Sequence, residues 1–269
     1  MEKLKIAITS GNYTASAQEL SAMILEDPVM LELCTPVPYG AGEEERALRD
    51  LDEGKVDALV LAPTNGPEKC PGNACEIVVT EKTCLMPLAE EPTAQDIVRL
   101  RDILERDFDL RSPRIAIVHE TAMQNPDLAS QATEEHGINT YGPYTTEQIL
   151  ADDTAIHFDG IIVRGKELVQ RIIGNVQQEA PVRYYAGRET VVTAICQPGR
   201  TDQAEEGMAD VSWLTHPFYT AIDIIRNRAS YDKARENVLP KLFRDKRDER
   251  KKNEASQANN ETDNTEKVS

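Results

Sequence analysis

Residues 114–123, Arg-Ile-Ala-Ile-Val-His-Glu-Thr-Ala-Met, decide the fold of this 269-residue chain. Within them, 115–118 is a short apolar run that follows Pro113 and precedes a polar segment, 124–127. This pattern is typical of a buried parallel strand that opens into a loop. A helical pattern over 93–108, with its apolar residues on one stripe, comes just before it. Helix, turn, buried strand and loop are the repeating unit of an open α/β sheet, whose ligands bind beyond the carboxyl ends of the strands.

The same patterns predict the other elements of the chain. Apolar runs bounded by turn residues indicate strands, and the predicted strands are 4–9, 56–63, 75–84, 158–163 and a β pair, 182–185 with 189–196. Amphipathic or capped stretches indicate helices, at 15–25, 43–53, 128–136 and 217–229, with a short helix after the turn 142–147. The final helix is expected to bury Tyr219, Ile222, Ile224 and Ile225. Residues 203–208 read as a helical turn and 209–211 as a short strand.

Composition limits the classes of partner. A formal net charge of -17 argues against nucleic acid and anionic membrane as partners, because phosphate groups repel such a surface. No apolar run approaches the roughly 20 residues that span a bilayer, and the N-terminus leads straight into a strand without an export signal. We therefore expect a cytoplasmic protein that binds neither nucleic acid nor membrane.

Five cysteines, an odd number, favour reduced thiols over disulfides: Cys34, Cys70, Cys75, Cys84 and Cys196. The pair Cys70 and Cys75 lacks the two further ligands that a structural metal site needs. From about residue 244 the chain is charged and polar with almost no large apolar residue, so 244–269 is predicted to be a disordered tail.

Six fragments, in order along 4–228, resemble the 4-hydroxythreonine-4-phosphate dehydrogenase family (PdxA) of vitamin B6 synthesis. The closest, Phe108-Asp-Leu-Arg-Ser-Pro-Arg-Ile-Ala-Ile117, is similar to the family's Phe-Gly-Ile-x-x-Pro-Arg-Ile-Ala-Val. The others are Ile-Ala-Ile-Thr-Ser-Gly (6–11), Asp-Ala-Leu-Val-Leu-Ala-Pro (57–63), Cys-Leu-Met-Pro-Leu (84–88), His-Gly-Ile-Asn-Thr-Tyr-Gly-Pro (136–143) and Glu-Gly-Met-Ala-Asp (206–210). The chain resembles a shortened and divergent member.

This resemblance implies an α/β fold with two α/β/α lobes, mostly parallel sheets and an interlobe cleft, like isocitrate and isopropylmalate dehydrogenases. Residues 1–243 would form the two-lobed part, with lobe one at about 1–85 plus 190–243 and lobe two at about 86–189. The resemblance also implies a homodimer that oxidises a phosphorylated hydroxy-amino acid with NAD. In the family, three histidines hold a divalent metal.

Counting along the fragments shows that the metal ligands are replaced in this sequence. The three family histidines fall on Met123, Lys166 and Gln197, and a further family histidine falls on Leu85. Thioether, ammonium and amide groups do not replace three imidazoles around a dication, so a divalent metal is not expected. NAD remains possible through the resemblance. The histidines that are present, His119, His136, His157 and His216, read as structural or exposed residues.

Lys166 is the candidate functional residue, since its ammonium would put a positive charge where the metal is held in the family. It would bind a carboxylate or phosphate and would transfer a proton if burial lowered its pKa. The other candidates for this anion site lie at predicted strand ends or turns: Arg164, Gln197, Arg200, Thr64 and Asn65. The alternative is that these side chains simply extend into solvent.

Three functions stay open at the level of sequence. The first is a divergent oxidoreductase that keeps NAD chemistry without the metal. The second is a catalytically silent homodimer that binds a small phosphorylated or carboxylated molecule, or a partner subunit. The third is a structural dimer with an empty cleft.

Overall fold

The computed structural model describes residues 3–11, 15–62, 74–119, 125–176, 181–195 and 212–236. The chain divides into two compact units, Met1–Asn227 and Arg228–Ser269. The first unit contains the sheet. In the second, the described residues are the last turns of a helix. The predicted disordered tail, 244–269, and the predicted elements at 203–211 lie outside the described residues.

The described ranges contain ten strands and eight α-helices. The strands are β1 (Leu4–Thr9), β2 (Cys34–Tyr39), β3 (Ala58–Leu61), β4 (Cys75–Val79), β5 (Cys84–Leu88), β6 (Arg114–His119), β7 (Asn139–Thr145), β8 (Gly160–Arg164), β9 (Val182–Ala186) and β10 (Val191–Ile195). The helices are α1 (Ala17–Ile24), α2 (Pro28–Leu33), α3 (Glu44–Asp52), α4 (Ala94–Asp107), α5 (Leu128–His136), α6 (Thr146–Leu150), α7 (Lys166–Val176) and α8 (Ser212–Glu236). A 3-10 helix, Ala151–His157, joins α6 to β8.

All ten strands form one sheet in the order β2-β1-β3-β10-β9-β4-β5-β8-β6-β7. The pairs at both ends of this order are parallel, whereas β10–β9, β9–β4 and β4–β5 are antiparallel. Three reversals separate the two parallel groups, so β1, β3 and β10 run opposite to β5, β8 and β6. Their carboxyl ends therefore lie at opposite edges of the sheet.

Helices cover both faces of the sheet, because the strands present apolar side chains alternately to each face. On one face α1, α4, α5 and α8 pack over a cluster that includes Ile8, Ile117 and Tyr184. On the other face α3 covers one end of the sheet and α6 with α7 cover the other end. The predicted α/β class is confirmed: the chain folds as a mixed, mostly parallel sheet flanked by helices. The predicted lobe boundaries stay a prediction.

The predicted central strand and the helix before it are present. Residues 115–118 are fully buried in β6. Thr93 caps the start of α4 with a capping box. Its hydroxyl accepts a hydrogen bond from the Asp96 amide, and the Asp96 carboxylate accepts one from the Thr93 amide. Thr145 caps α6 in the same way, and Gly137 ends α5 as expected.

Several elements differ from the sequence-based expectation. The pattern predicted neither α2, β2 nor α7, and it predicted a turn where β7 ends. β2 carries two prolines and β7 is largely exposed, so neither edge strand has the continuous apolar run of a buried one. The run 75–88 is two antiparallel strands rather than one strand and its closure. The final helix begins at Ser212 with Pro217 inside it, and Tyr219 and Ile225 are only half-buried there.

Asp27 joins the start of α2 to α8. Its carboxylate accepts the Val29 amide at 2.8 Å and the Tyr219 hydroxyl at 2.6 Å. The Tyr219 hydrogen bond is the main reason that the pKa of Asp27 lies below its usual value. A carboxyl group whose pKa is depressed by folding contributes stability above its unfolded pKa and loses it as the pH falls through the folded value.

We therefore expect Asp27→Asn, which keeps a good cap, to lower the free energy of unfolding at neutral pH but not in acid. Urea unfolding between pH 7 and pH 3 measures the difference. Glu32→Gln, at an exposed position on α2, is the control. The difference between its free energy of unfolding and that of wild type should not shrink as the pH falls. A constant gap between wild type and Asp27→Asn across this pH range would contradict the assignment.

No helix in the described part of the chain is long and apolar enough to cross a membrane.

Candidate functional site

Glu76 lies near the middle of the sheet and contacts two cations. On β4 it faces the same side of the sheet as Val78, which pairs with Arg183 on the neighbouring strand β9. The Arg183 Nε lies 3.4 Å from Glu76 Oε1, and both side chains are less than a fifth exposed, at 16% and 18%. The carboxylate and the guanidinium are thus held together on the pleated surface by strand register.

Lys166 is the second cation that contacts Glu76. It is the first residue of α7, and Gly165 before it donates its amide to the Leu88 carbonyl at 2.9 Å, which ties the turn after β8 to β5. The Lys166 Nζ lies 3.2 Å from Glu76 Oε2, and its side chain is 71% exposed. We call Glu76, Lys166 and Arg183 the Glu76 cluster.

The Glu76 cluster carries one more positive charge than negative charge. Each carboxylate oxygen of Glu76 contacts a different cation, so Glu76 holds Lys166 and Arg183 close to each other. An anion that approaches from solvent would meet the exposed ammonium of Lys166, whereas the guanidinium of Arg183 is largely buried. Sequence reasoning identified Lys166 but missed Glu76 and Arg183. The sequence feature that could have indicated these two residues is a single charged side chain in each of two otherwise apolar strands, β4 and β9.

Arg164, the predicted neighbour of Lys166, belongs to a different group. Its Nη1 lies 2.9 Å from Glu91 Oε1, and the same oxygen lies 3.5 Å from the Nε2 of His119 at the end of β6. His119 is buried, and Arg164 is 42% exposed. Alternation along β8 puts Arg164 on the face of Ile162, which α4 covers, whereas Glu76 lies on the opposite face. Arg164 therefore pairs with Glu91, and Lys166 pairs with Glu76. Whether either cation binds an anion stays a prediction.

The other predicted site residues, Thr64, Asn65, Met123, Gln197 and Arg200, lie outside the described residues. The strands before them are described, and their directions matter. β3 and β10, which precede Thr64 and Gln197 in sequence, end at one edge of the sheet, whereas β8, which precedes Lys166, ends at the opposite edge. The prediction grouped residues that follow all three strands into one anion site, but carboxyl ends share an edge only within each parallel group.

The replacement of the family's metal ligands stays a prediction, and the side chains at the predicted positions do not suit a divalent cation. Lys166 is an ammonium donor already paired with Glu76, and Leu85 is a fully buried apolar residue of β5. With a thioether and an amide at the other two positions, the set lacks imidazole and carboxylate donors. Within the described ranges, no three His, Cys, Asp or Glu side chains are grouped to hold a metal ion.

The described cysteines are buried thiols, as expected: Cys34, Cys75 and Cys84. Burial raises the pKa of Cys34 to about 11 and that of Cys84 to about 12. A thiol that stays protonated at neutral pH is a poor nucleophile. Cys34 and Cys84 are therefore core residues and not candidates for covalent chemistry.

The chain is similar to proteins of known name in both sequence and fold. A 4-hydroxythreonine-4-phosphate dehydrogenase from Bacteroides thetaiotaomicron is 24% identical over 348 aligned positions, which cover 92% of this chain and 96% of that protein. The alignment is longer than the chain itself, so that relative contains segments that are missing here. No protein-family model matches the chain.

Among solved structures, a protein from Salmonella typhimurium assigned as a 4-hydroxythreonine-4-phosphate dehydrogenase superposes with a TM-score of 0.59 at 13% identity. The match covers 83% of this chain and 100% of that one. The dehydrogenase of the same name from Klebsiella pneumoniae gives a TM-score of 0.49 at 14% identity, covering 82% and 98%. The resemblance inferred from the six fragments is confirmed: the chain is similar in sequence to a protein named 4-hydroxythreonine-4-phosphate dehydrogenase and similar in fold to a solved structure assigned that name.

Proposed function

We propose that this protein binds a small phosphorylated or carboxylated molecule at the Glu76 cluster and has lost the oxidation that its relatives' name describes. The position of Lys166 carries the proposal. Its ammonium occupies the sequence position of a family metal ligand and is aimed at Glu76, beside Arg183. An ammonium repels a dication and attracts an anion, so one substitution reverses the charge of the preferred ligand.

The described geometry supports anion binding in two respects. Lys166 presents an exposed, mobile point charge that pairs with carboxylate or phosphate oxygens, and the largely buried guanidinium of Arg183 adds positive charge on the other side of Glu76. Glu76 keeps both cations in place before a ligand arrives, so less side-chain entropy is lost on binding. A ligand oxygen would share these donors with Glu76.

A homodimer, a cytoplasmic location and residual binding of NAD are further parts of the proposal that rest on the family resemblance. For NAD, the described turn after β1 contains Ser10 and Gly11 and does not amount to the three-glycine dinucleotide fingerprint. The second candidate, an NAD-linked oxidoreductase that works without the metal, is favoured by the similarity over 92% of the chain.

Substitution of Lys166 tests the binding site directly. We expect Lys166→Ala to weaken the binding of O-phosphoserine or inorganic phosphate roughly ten- to a hundredfold, because a charge-assisted hydrogen bond is worth roughly 1.5–3 kcal/mol. Isothermal titration calorimetry measures the dissociation constants. Lys82→Ala removes the same charge at an exposed position on the turn between β4 and β5 and should bind like wild type. Equal affinity of Lys166→Ala and wild type for every probe would overturn the site.

Metal content and cofactor binding separate the two candidate functions. The proposed binding protein should purify without a stoichiometric divalent cation and should form no NADH from 4-hydroxythreonine 4-phosphate and NAD. Elemental analysis and absorbance at the NADH band measure these two properties. NADH formation without added metal would replace the proposal with the oxidoreductase, and a stoichiometric zinc or magnesium ion would contradict the argument from the replaced ligands.

A further inference from the structure

Three polar side chains meet at the carboxyl ends of three adjacent parallel strands. β8 lies between β5 and β6, and all three strands run in the same direction. Arg164 is the last residue of β8, His119 is the last residue of β6, and Glu91 follows the end of β5. We call Glu91, His119 and Arg164 the Glu91 group. It lies at the kind of edge where α/β sheets bind their ligands.

One carboxylate oxygen of Glu91 faces both of its partners. Glu91 Oε1 lies 2.9 Å from Arg164 Nη1, which is the length of a good hydrogen bond. The same oxygen lies 3.5 Å from His119 Nε2, which is too long for a strong one. In this arrangement Arg164 holds the oxygen, and His119 is within ion-pair distance of it once the imidazole ring carries a proton.

The two partners of Glu91 differ in their exposure to solvent. The side chain of His119 is 3% exposed, whereas that of Arg164 is 42% exposed. An exposed ion pair contributes little to stability because water screens it, so Arg164 leaves Glu91 at a small cost. A buried imidazolium needs a paired carboxylate, because an uncompensated buried charge is costly. A protonated His119 therefore competes well for Glu91.

His119 faces charged side chains from two other segments, since Glu91 lies just before α4 and Arg164 ends β8. On β7, the residue in register with His119 is the uncharged Thr145. The buried face of α5 consists of leucine and alanine side chains. Glu120, next in sequence, lies outside the described residues. Glu91 is thus the carboxylate that the described structure offers to a protonated His119.

We propose that the Glu91 group is a pH-operated switch that releases a cation in acid. As the pH falls through the range in which histidines take up a proton from water, the Glu91 carboxylate passes from Arg164 to His119. The guanidinium of Arg164 is then free to bind an anion at the carboxyl end of β8. The switch uses no residue of the Glu76 cluster, and it stands whether or not that cluster binds a ligand.

Nuclear magnetic resonance of the histidine rings tests the switch without any ligand. His119→Gln identifies the His119 signal among the four histidines of the chain. Glu91→Gln removes the counter-ion, so His119 should take up its proton at a pH that is lower by roughly one unit or more. Arg164→Gln removes the competing cation, so the same midpoint should move to higher pH. Shifts in the same direction, or a wild-type His119 that does not titrate between pH 5 and pH 8, overturn the proposal.

Sulfate binding tests the release of Arg164. Sulfate keeps its charge between pH 5 and pH 8, so titration calorimetry at both ends of this range isolates the change in the protein. The wild-type protein should bind sulfate more tightly in acid, and both His119→Gln and Arg164→Gln should lose this difference. Lys166→Ala should keep it, which separates the switch from the Glu76 cluster. A wild-type affinity that is equal at both pH values, or a difference that persists in His119→Gln or Arg164→Gln, overturns the release. Circular dichroism verifies that each variant is folded.

Discussion

Gly142→Ala is expected to destabilise the protein by about 3–5 kcal/mol, because it combines a strained backbone with a clash that cannot relax. Gly142 lies in β7 with a φ of +109°, and a Cβ atom there would lie 2.7 Å from the Ile117 carbonyl oxygen and 3.0 Å from the Tyr144 amide nitrogen. Both neighbours are backbone atoms of the paired strands β6 and β7. The pairing register shifts between Ala116 and Val118, opposite this point.

Gly174→Ala provides the matched comparison for this substitution. Gly174 lies in α7, it is exposed, and a Cβ atom there would meet nothing within 4 Å. Alanine in a helix is favoured over glycine by roughly 0.5–1 kcal/mol, so this variant should be more stable than wild type. Urea unfolding followed by circular dichroism gives both values. Similar effects of the two substitutions would show that β7 does not approach β6 as described.

Tyr184→Ala is the second substitution with a large expected effect, about 3–5 kcal/mol of unfolding free energy, which is typical of deleting a buried aromatic ring. Tyr184 is fully buried on β9, at the centre of the sheet. Its ring packs edge-to-face on Phe108 at a centroid distance of 6.1 Å, and its hydroxyl donates to Asp107 at the end of α4. The side chain thus anchors α4 to the antiparallel centre of the sheet.

Tyr184→Phe separates the hydroxyl from the ring. It keeps the packing and loses one hydrogen bond to a carboxylate, so the expected cost is smaller, roughly 1.5–3 kcal/mol. Unfolding of both variants under the same conditions gives the difference that is due to the ring. If Tyr184→Ala costs no more than Tyr184→Phe, the ring does not fill the core as described.

Much of the fold was predictable because it depends on local patterns. The apolar run 115–118 and the 3.6-residue period before it predicted β6 and α4. The elements that were missed lack such a pattern. β2 and β7 are edge strands with prolines. α7 begins at Lys166, directly after β8, and residues 164–167 were interpreted as the end of a strand rather than as the start of a helix.

The candidate site was only partly predictable for a different reason. Lys166 was found from its position in the aligned fragments, but Glu76 lies 90 residues earlier, and neither periodicity nor spacing connects the two. Charge partners across a sheet depend on strand order and register, which are decided by contacts distant in sequence.

The sequence by itself determined the α/β class, the position of the central strand and its helix, and the resemblance to the 4-hydroxythreonine-4-phosphate dehydrogenases, whereas the exchange of metal ligands for other side chains stays a prediction. The tertiary structure alone decided that three antiparallel pairings reverse the two groups of parallel strands, and that Arg164 and Lys166 pair with different carboxylates. The physical reason is that local propensities select helices and strands, whereas their direction and charge partners follow from the burial of apolar faces by residues far apart in the chain.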